Sequence, residues 1–397
     1  MKNLIIIYLV GFILFSCSPK DKTPFKNIST EYPVLKSVLE NSDTYQVQII
    51  YSQIDRDSLG KPVLKDYEFN LDDTKYYYPA STVKLPVAIL ALEWLHKQKT
   101  EGLSANTIML TDSVRESQIP ALYDSTSQNL MPSIAHYIKK ILLVSDNDAY
   151  NRLYELLGQE YINEKLKEKG LKKTIINHRL SIFMSPEENR NLNPIRFIGD
   201  NGEMVLEIPA RVTTKIYQNE DKPSLAKAYK NSGELISEPM DFTFKNRFPL
   251  SDFHGVVKRI VFPELFAESE RFQISEEDRE FILRYMSMLP GQSDYPKYEL
   301  PEYYDSYSKF YMFGTSKEPI PDEFVIYNKT GQAYGHLLDG SYFVNTSVGI
   351  EFFVSAVIYV NKNNTLNDNN YEFDEVGFPF YKELGEYLYD LEKTRKQ

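Results

Sequence analysis

Tyr76-Tyr77-Tyr78-Pro79-Ala80-Ser81-Thr82-Val83-Lys84-Leu85-Pro86 reads as an extended segment turning into a helix, with a serine at the turn. The residue before a proline avoids the helical region, so Tyr76–Tyr78 are extended. From Ser81 or Thr82 onward, Val83, Val87, Ile89, Leu90, Leu92, Trp94 and Leu95 are apolar nearly all round, the pattern of a buried helix. Pro86 is tolerated only in a first turn, which places the helix start here. Ser58–Lys61, Ser224–Lys227 and Ser306–Lys309 repeat the S-x-x-K spacing. Only Ser81–Lys84 combines it with a strand-to-helix junction.

That junction has chemical consequences. A hydroxyl at a helix N-terminus sits near unpaired N–H groups and a partial positive charge, worth about 0.3–1 kcal/mol to a nearby anion. Lys84, at i+3, shares a face with Ser81. A serine becomes a useful nucleophile when a base takes its proton. A lysine amine is such a base only when burial and neighbouring positive charge lower its pKa, and the apolar helix and a second cation, Lys329, would supply both.

Two further short motifs follow in order. Ser145-Asp146-Asn147 falls between an apolar helical stripe (Ile134, Ile138, Ile141, Leu142, Val144) and its continuation at Leu153, Leu156 and Leu157. Taken alone it reads as helix capping, since Ser, Asp and Asn are the preferred N-caps. Lys329-Thr330-Gly331 ends or continues a strand over 323–328, and Gly349–Val360 alternates like a neighbouring strand. An edge strand with Gly331 lets a substrate backbone approach closely, although a turn glycine at a strand end is the plainer account of that triplet alone.

Together, S-x-x-K, S-D-N and K-T-G resemble the motif set of class A β-lactamases and penicillin-binding proteins, closest to the class A branch, over about Tyr32 to Tyr389. The resemblance implies an α/β (α+β) fold: an antiparallel sheet flanked by helices, plus a mostly helical lobe. It also implies roles. Ser81 would be the nucleophile and Lys84 its proton acceptor or activator. Ser145 would relay a proton to the leaving nitrogen, and Asn147 would bind the substrate amide. Lys329 and Thr330 would hold the substrate carboxylate beside Gly331. The N–H groups of Ser81 and Gln332 would form the oxyanion hole, each donor worth about 10²–10³ in rate.

One departure concerns water. Class A enzymes carry a Glu-x-x-Leu-Asn loop whose glutamate activates the deacylating water. Here Ser185-Pro-Glu-Glu-Asn-Arg-Asn-Leu-Asn-Pro194 puts Asn189 at that place. An asparagine can hold water but takes no proton at neutral pH. Glu188, or its neighbour Glu187, is the candidate base if the loop length differs; the alternative is a Ser-x-x-Glu capping box at Ser185. The stretch from S-D-N to K-T-G is also long, which implies an insertion at about 198–249, either covering the site or decorating the surface. Helices resume at Asp252–Val261 and Ser275–Leu289, and a last helix spans Phe378–Leu391.

Composition narrows the classes. The 397 residues carry a formal net charge of −11, which repels nucleic acid. None of the five histidines (His96, His136, His178, His254, His336) has metal-ligand spacing, and no G-x-S-x-G elbow occurs; no cofactor is implied. Most of the many tyrosines and phenylalanines read as core or cleft wall, and Asn361–Asn370 as a polar loop.

Met1-Lys2-Asn3, the apolar Leu4–Phe15 and Leu14-Phe15-Ser16-Cys17 resemble a bacterial lipobox; a plain secretion signal is the alternative. The expected organisation is a signal peptide at 1–16, a tether at 17–30 lipidated on Cys17, and a catalytic domain at 31–397. The protein would be an extracytoplasmic, membrane-anchored monomer acting on a β-lactam or a peptidoglycan-type peptide. Three functions stay open: a β-lactamase-like hydrolase, a penicillin-binding peptidase or esterase with slow lactam turnover, and a non-catalytic surface binder.

Overall fold

A computed structural model describes residues 23–396; Cys17 and the expected signal peptide lie outside them. The chain opens with helix α1 (Pro33–Glu40) and strands β1 (Gln48–Arg56) and β2 (Pro62–Phe69). Near the C-terminus come β3 (Phe324–Ala333), β4 (His336–Asn345) and β5 (Ile350–Tyr359). These five strands form one antiparallel sheet in the order β3-β4-β5-β1-β2. The order brings sequence-distant ends together and leaves β3, which carries Lys329-Thr330-Gly331, at an edge.

Strand periodicity divides the sheet residues between two cores. Ile49, Tyr51, Val354 and Ala356 face Leu35 and Val38 of α1 and Phe380, Leu384 and Leu388 of the final helix, Phe378–Lys396. Ile50, Phe353 and Val357 join the other core, with Phe253, Val256 and Ile260 of a helix over Leu250–Val261. Gly340 permits that second contact, because a Cβ there would lie 2.5 Å from the Phe253 ring.

The helical lobe surrounds α2 (Lys84–Gln98), buried continuously from Lys84 to Glu93. Full burial of Leu85, Val87, Ile89, Leu90 and Leu92 contributes about 1.5–3 kcal/mol for each side chain. The predicted start is refined: Ala80–Val83 is a 3₁₀ turn, and the α-helix proper begins at Lys84. Against α2 pack α3 (Ile134–Val144) and α4 (Asn147–Glu168), the latter broken at Gly158, where φ is +76°. The antiparallel sheet with flanking helices and a mostly helical lobe is the β-lactamase/transpeptidase-like architecture.

Two local expectations need amending. The strand through K-T-G runs on to Ala333, and its direct partner is β4 rather than Gly349–Val360, which lies one strand further in. Asp339-Gly340-Ser341 interrupts the apolar alternation of β4 and hid it. The hairpin closes at Tyr334-Gly335, with φ of +52° and +75°, the backbone of a type I′ turn. The Asn361–Asn370 loop is also more than a polar connection. Thr365–Leu366 pairs in parallel with Ala228–Asn231, and Asn363 holds the Thr365 N–H at 2.9 Å.

Residues 198–249 form short ladders: Met204–Ile208 on Ile195–Ile198, Met240–Asp241 on Ser224–Leu225, and Glu234–Ile236 on Ala228–Asn231. The segment is tied to the residues before Ser81. Tyr76 and Tyr77 donate their hydroxyls to the carbonyls of Asn246 and Phe248 at 3.0 and 2.7 Å. Fully buried Phe242 packs among Tyr76, Tyr78 and Tyr334, with ring centroids 5.7, 5.8 and 5.2 Å away. Phe242→Ala should therefore lower the unfolding free energy by about 3–5 kcal/mol. The exposed Leu235→Ala should change it by less than about 0.5 kcal/mol; urea denaturation of the two variants checks the contrast.

Candidate active site

The site forms where β3 meets the 3₁₀ turn and the α3–α4 junction. Ala80 has φ of +48° and Ser145 of +61°, the left-handed region that costs a non-glycine residue about 1–2 kcal/mol. At Ala80 this conformation presents Ser81 at the head of the turn. At Ser145 it closes α3 and directs both the carbonyl and the hydroxyl of that residue at the Lys84 amine. Asp146 caps α4, its carboxylate accepting from the Ala149 N–H at 2.8 Å. The capping account of S-D-N thus holds for Asp146, while its neighbours face the lysines.

Lys84 Nζ donates to the Ser145 carbonyl, to Ser145 Oγ at 3.2 Å and to Asn147 Oδ1 at 2.7 Å. Lys329 Nζ donates to the same Ser145 Oγ at 2.8 Å and to the Thr330 carbonyl at 2.9 Å. One hydroxyl is therefore shared by two buried amines. Burial first, then the Lys329 charge, hold the Lys84 amine well below its ordinary pKa, with Asp146 opposing. Burial lowers Lys329 to about 7, the Asp339 carboxylate opposing and Lys309 reinforcing.

Behind Lys329 lies a polar network within the core. Asp339, opposite Thr330 in the ladder, accepts from Asn328 Nδ2 at 3.0 Å, Ser341 Oγ at 2.9 Å and the Phe310 N–H at 3.1 Å. Asn328 Oδ1 in turn accepts from Lys309 Nζ at 2.7 Å, and that amine also donates to the carbonyls of Met286 and Ile326. Burial pushes the Asp339 carboxyl up to about 6 and the Lys309 amine down to about 7.

Ser81 opens onto a cleft of about 320 Å³ whose walls include Asn147, Gln332, Tyr334, Asn367 and Asn369. Among the described residues the Ser81 hydroxyl has no hydrogen-bond partner. The structure thus brings Ser81, Lys84, Ser145, Asn147, Lys329, Thr330, Gly331 and Gln332 to one place. Glu188 does not join them. Its carboxylate accepts from the Ser185 N–H at 2.7 Å, closing a capping box in which Glu188 N–H donates to Ser185 Oγ at 3.1 Å. Those hydrogen bonds hold it below the usual carboxylate range. Glu187 pairs with Arg190 at 3.0 Å.

Asn189 is an internal brace for its loop. Its Nδ2 donates to the carbonyls of Met184 and Ser185 at 3.1 Å each, and its Oδ1 accepts from the Arg179 N–H at 2.8 Å. Tyr334 and Asn367 escaped the sequence reading. The position of Tyr334 just past K-T-G was an available signal, whereas nothing local marks Asn367. Among the described residues no group of His, Cys, Asp and Glu could hold a metal ion, and no helix is long and apolar enough to cross a membrane.

Gly331 makes the meeting of strand and turn possible: a Cβ there would lie 2.9 Å from the Pro79 carbonyl oxygen and 3.2 Å from the Ser81 nitrogen. Gly331→Ala must push β3 off the turn and should cost about 1–3 kcal/mol by overpacking, readable as a lower urea midpoint at unchanged m-value.

Residues 35–220 match the model described as "Beta-lactamase enzyme family". That span holds Ser81, Lys84, Ser145 and Asn147 and ends before Lys329. No curated protein matches. Among solved structures, a β-lactamase from Sphaerobacter thermophilus DSM 20745 is 12% identical, with 91% of this chain and 98% of that one covered and a TM-score of 0.48. A class A β-lactamase from Clostridium kluyveri DSM 555 is 10% identical, with 90% and 99% covered and a TM-score of 0.48. A structure described as PBP-A is 14% identical, with 90% and 96% covered and a TM-score of 0.47.

Proposed function

We propose that this chain, whose motifs resemble those of class A β-lactamases and penicillin-binding proteins and whose residues 35–220 match the β-lactamase family model, is a serine hydrolase acylated on Ser81 by a β-lactam or related amide. The observation that carries the proposal is the convergence of Lys84 and Lys329 on Ser145 Oγ beside Ser81. The neutral Lys84 amine takes the Ser81 proton as Oγ attacks the carbonyl carbon. The N–H groups of Ser81 and Gln332 hold the oxyanion. Ser145 Oγ gives its proton to the leaving nitrogen and is reprotonated from the lysine pair. Asn147 binds the substrate amide, and Lys329 with Thr330 holds a carboxylate. Water then releases the acyl group. Diacylated Cys17 would tether the enzyme outside the cytoplasm.

The second reading, a penicillin-binding peptidase or esterase with slow lactam turnover, is favoured by the loop. The Asn189 amide is committed to backbone groups, and the Glu187 and Glu188 carboxylates are engaged with Arg190 and Ser185. Committed in this way, the three are poorly suited to take a proton from water at Ser81.

Intact-mass spectrometry of the detergent-solubilised chain with a penicillin should show one adduct, absent in Ser81→Ala. Acylation should slow by about 10²–10⁴-fold in Lys84→Ala. Persistence of the adduct indicates the peptidase reading, and rapid clearance with product indicates a lactamase. Normal labelling of Ser81→Ala would sink both.

The two amines also set a pH profile. Lys84 must be neutral, so acylation falls as pH drops through its lowered pKa. Lys329 must be charged to hold a carboxylate, so acylation also falls as pH rises through about 7. The second-order acylation constant, which reports the free enzyme, should be bell-shaped. Lys329→Arg, with a guanidinium that stays charged, should move the alkaline limb up; an unmoved limb refutes the assignment.

A further inference from the structure

A second chamber adjoins the Ser81 cleft. It measures about 610 Å³ and shares Tyr78, Ser181, Tyr334 and Asn367 with the smaller cleft. One wall is the 178–189 loop, with Ile182, Phe183 and Met184; the other belongs to the 198–249 segment, with Tyr229, Met240 and Phe244. Phe183 is 97% exposed and Phe244 37%, so the chamber presents apolar surface to whatever enters. Both walls are anchored. Asn246 Oδ1 accepts from the Asn177 and His178 N–H groups at 2.9 and 3.2 Å. Arg179 is held by Glu155 at 2.8 Å, and Phe242 lies locked under Tyr334.

Within these apolar walls stands Lys245, half-buried, whose amine has no hydrogen-bond or ion-pair partner among the described residues. The nearby charges are accounted for. The Asp241 carboxylate accepts from the Thr243 N–H at 2.7 Å and from its hydroxyl at 2.5 Å. Arg179 is spent on Glu155, His178 is kept neutral by burial, and Lys230 is exposed on the same lining. Burial lowers the Lys245 amine, and only Asp241 opposes this. A half-buried cation without a partner is costly to leave alone and gains most from an anion brought by a ligand.

We propose that this chamber is an acyl-side substrate subsite in which Lys245 recognises a carboxylate at the end of an apolar chain. Its volume suits a substituent of that kind, mostly apolar with one placed polar group. Half-buried Lys245, in the company of Asp241, suits a carboxylate, while the second amine of the lining unpaired among the described residues, Lys230, stays exposed to solvent. The substrate class is thus an amide whose acyl part passes Tyr334 and ends in a carboxylate, as an acidic peptide side chain does. The subsite rests on acylation at Ser81 for the identity of the bond attacked, but its occupancy does not depend on that reaction.

The test uses two penicillins with the same linear acyl chain, one ending in a carboxylate and the other in its methyl ester. Their binding to the full chain carrying Ser81→Ala is measured by calorimetry. The carboxylate form should bind at least about tenfold tighter. That preference should fall below about twofold when Lys245→Ala is added and persist with Lys245→Arg. Equal binding of the two penicillins, no binding of either, or a preference that survives Lys245→Ala overturns the subsite. Acylation of the Ser81 chain by plain benzylpenicillin is read separately by intact mass, so its failure counts against the enzyme reading alone.

Discussion

Two lysine amines on one serine hydroxyl set the terms for the rest of the molecule. Like charges at such spacing repel strongly in a poorly solvated site, so both cannot be fully charged without support. The support is carbonyl-rich: the Ser145 and Thr330 carbonyls and Asn147 Oδ1 all accept from these amines. It also has to be assembled from three distant pieces of chain. The left-handed backbone at Ser145 turns its carbonyl toward Lys84, the left-handed Ala80 lifts Ser81 into place, and the bare Gly331 lets β3 close on the turn. Strain at these points is tolerable because α2, buried from Lys84 to Glu93, and the ladder of β3 with β4 hold the flanking residues rigid. The two lobes meet at this contact, so the fold and the chemistry share one constraint.

The Lys309–Asn328–Asp339 network extends that constraint through the edge strand. A buried carboxylate and a buried amine are weak evidence for added stability, but each is satisfied here by at least three partners. Asn328 bridges them and immediately precedes Lys329. The network therefore pins the register and tilt of β3 where a slip of one residue would turn Lys329 away from Ser145. It also places a proton-sensitive carboxyl behind Lys329, so the charge on that amine answers to the core as well as to the cleft.

Much of this was legible in the sequence, for reasons that can be named. Ser81, Lys84, Ser145, Asn147 and Lys329 sit in short motifs whose order survives any reading; α2 is apolar nearly all round, and α3 and Leu250–Val261 carry periodic apolar patterns. The strand leading into Lys329 was legible, but its ladder partner and hence its register were not. β4 was missed because Asp339-Gly340-Ser341 breaks its alternation for the sake of the polar network and the close contact of Gly340 with Phe253. The polar loop at 361–370 was taken as a mere connection because its structure comes from a partner strand more than a hundred residues away. Phe242 and Lys245 left no local pattern, and Tyr334 was marked only by its place just past K-T-G. Their meaning is tertiary, created when the 198–249 segment folds back on Tyr76–Tyr78.

The 178–189 loop then takes on a definite physical character. An asparagine amide has two N–H donors and an oxygen that accepts. In Asn189 both donors meet backbone carbonyls, the oxygen takes the Arg179 N–H, and its own carbonyl receives the Tyr154 hydroxyl. Asn151 clasps the same loop from α4, donating to the Leu180 carbonyl and accepting from its N–H. A carboxylate at position 189 would lose both donor contacts and face two carbonyl oxygens, an unpaired buried charge that the loop could accommodate only by opening. The choice of amide over acid is thus tied to keeping the loop closed as a wall. A loop so closed bounds the larger chamber on one side while the 198–249 segment bounds it on the other. The amide at 189 stiffens the surface that bounds the chamber.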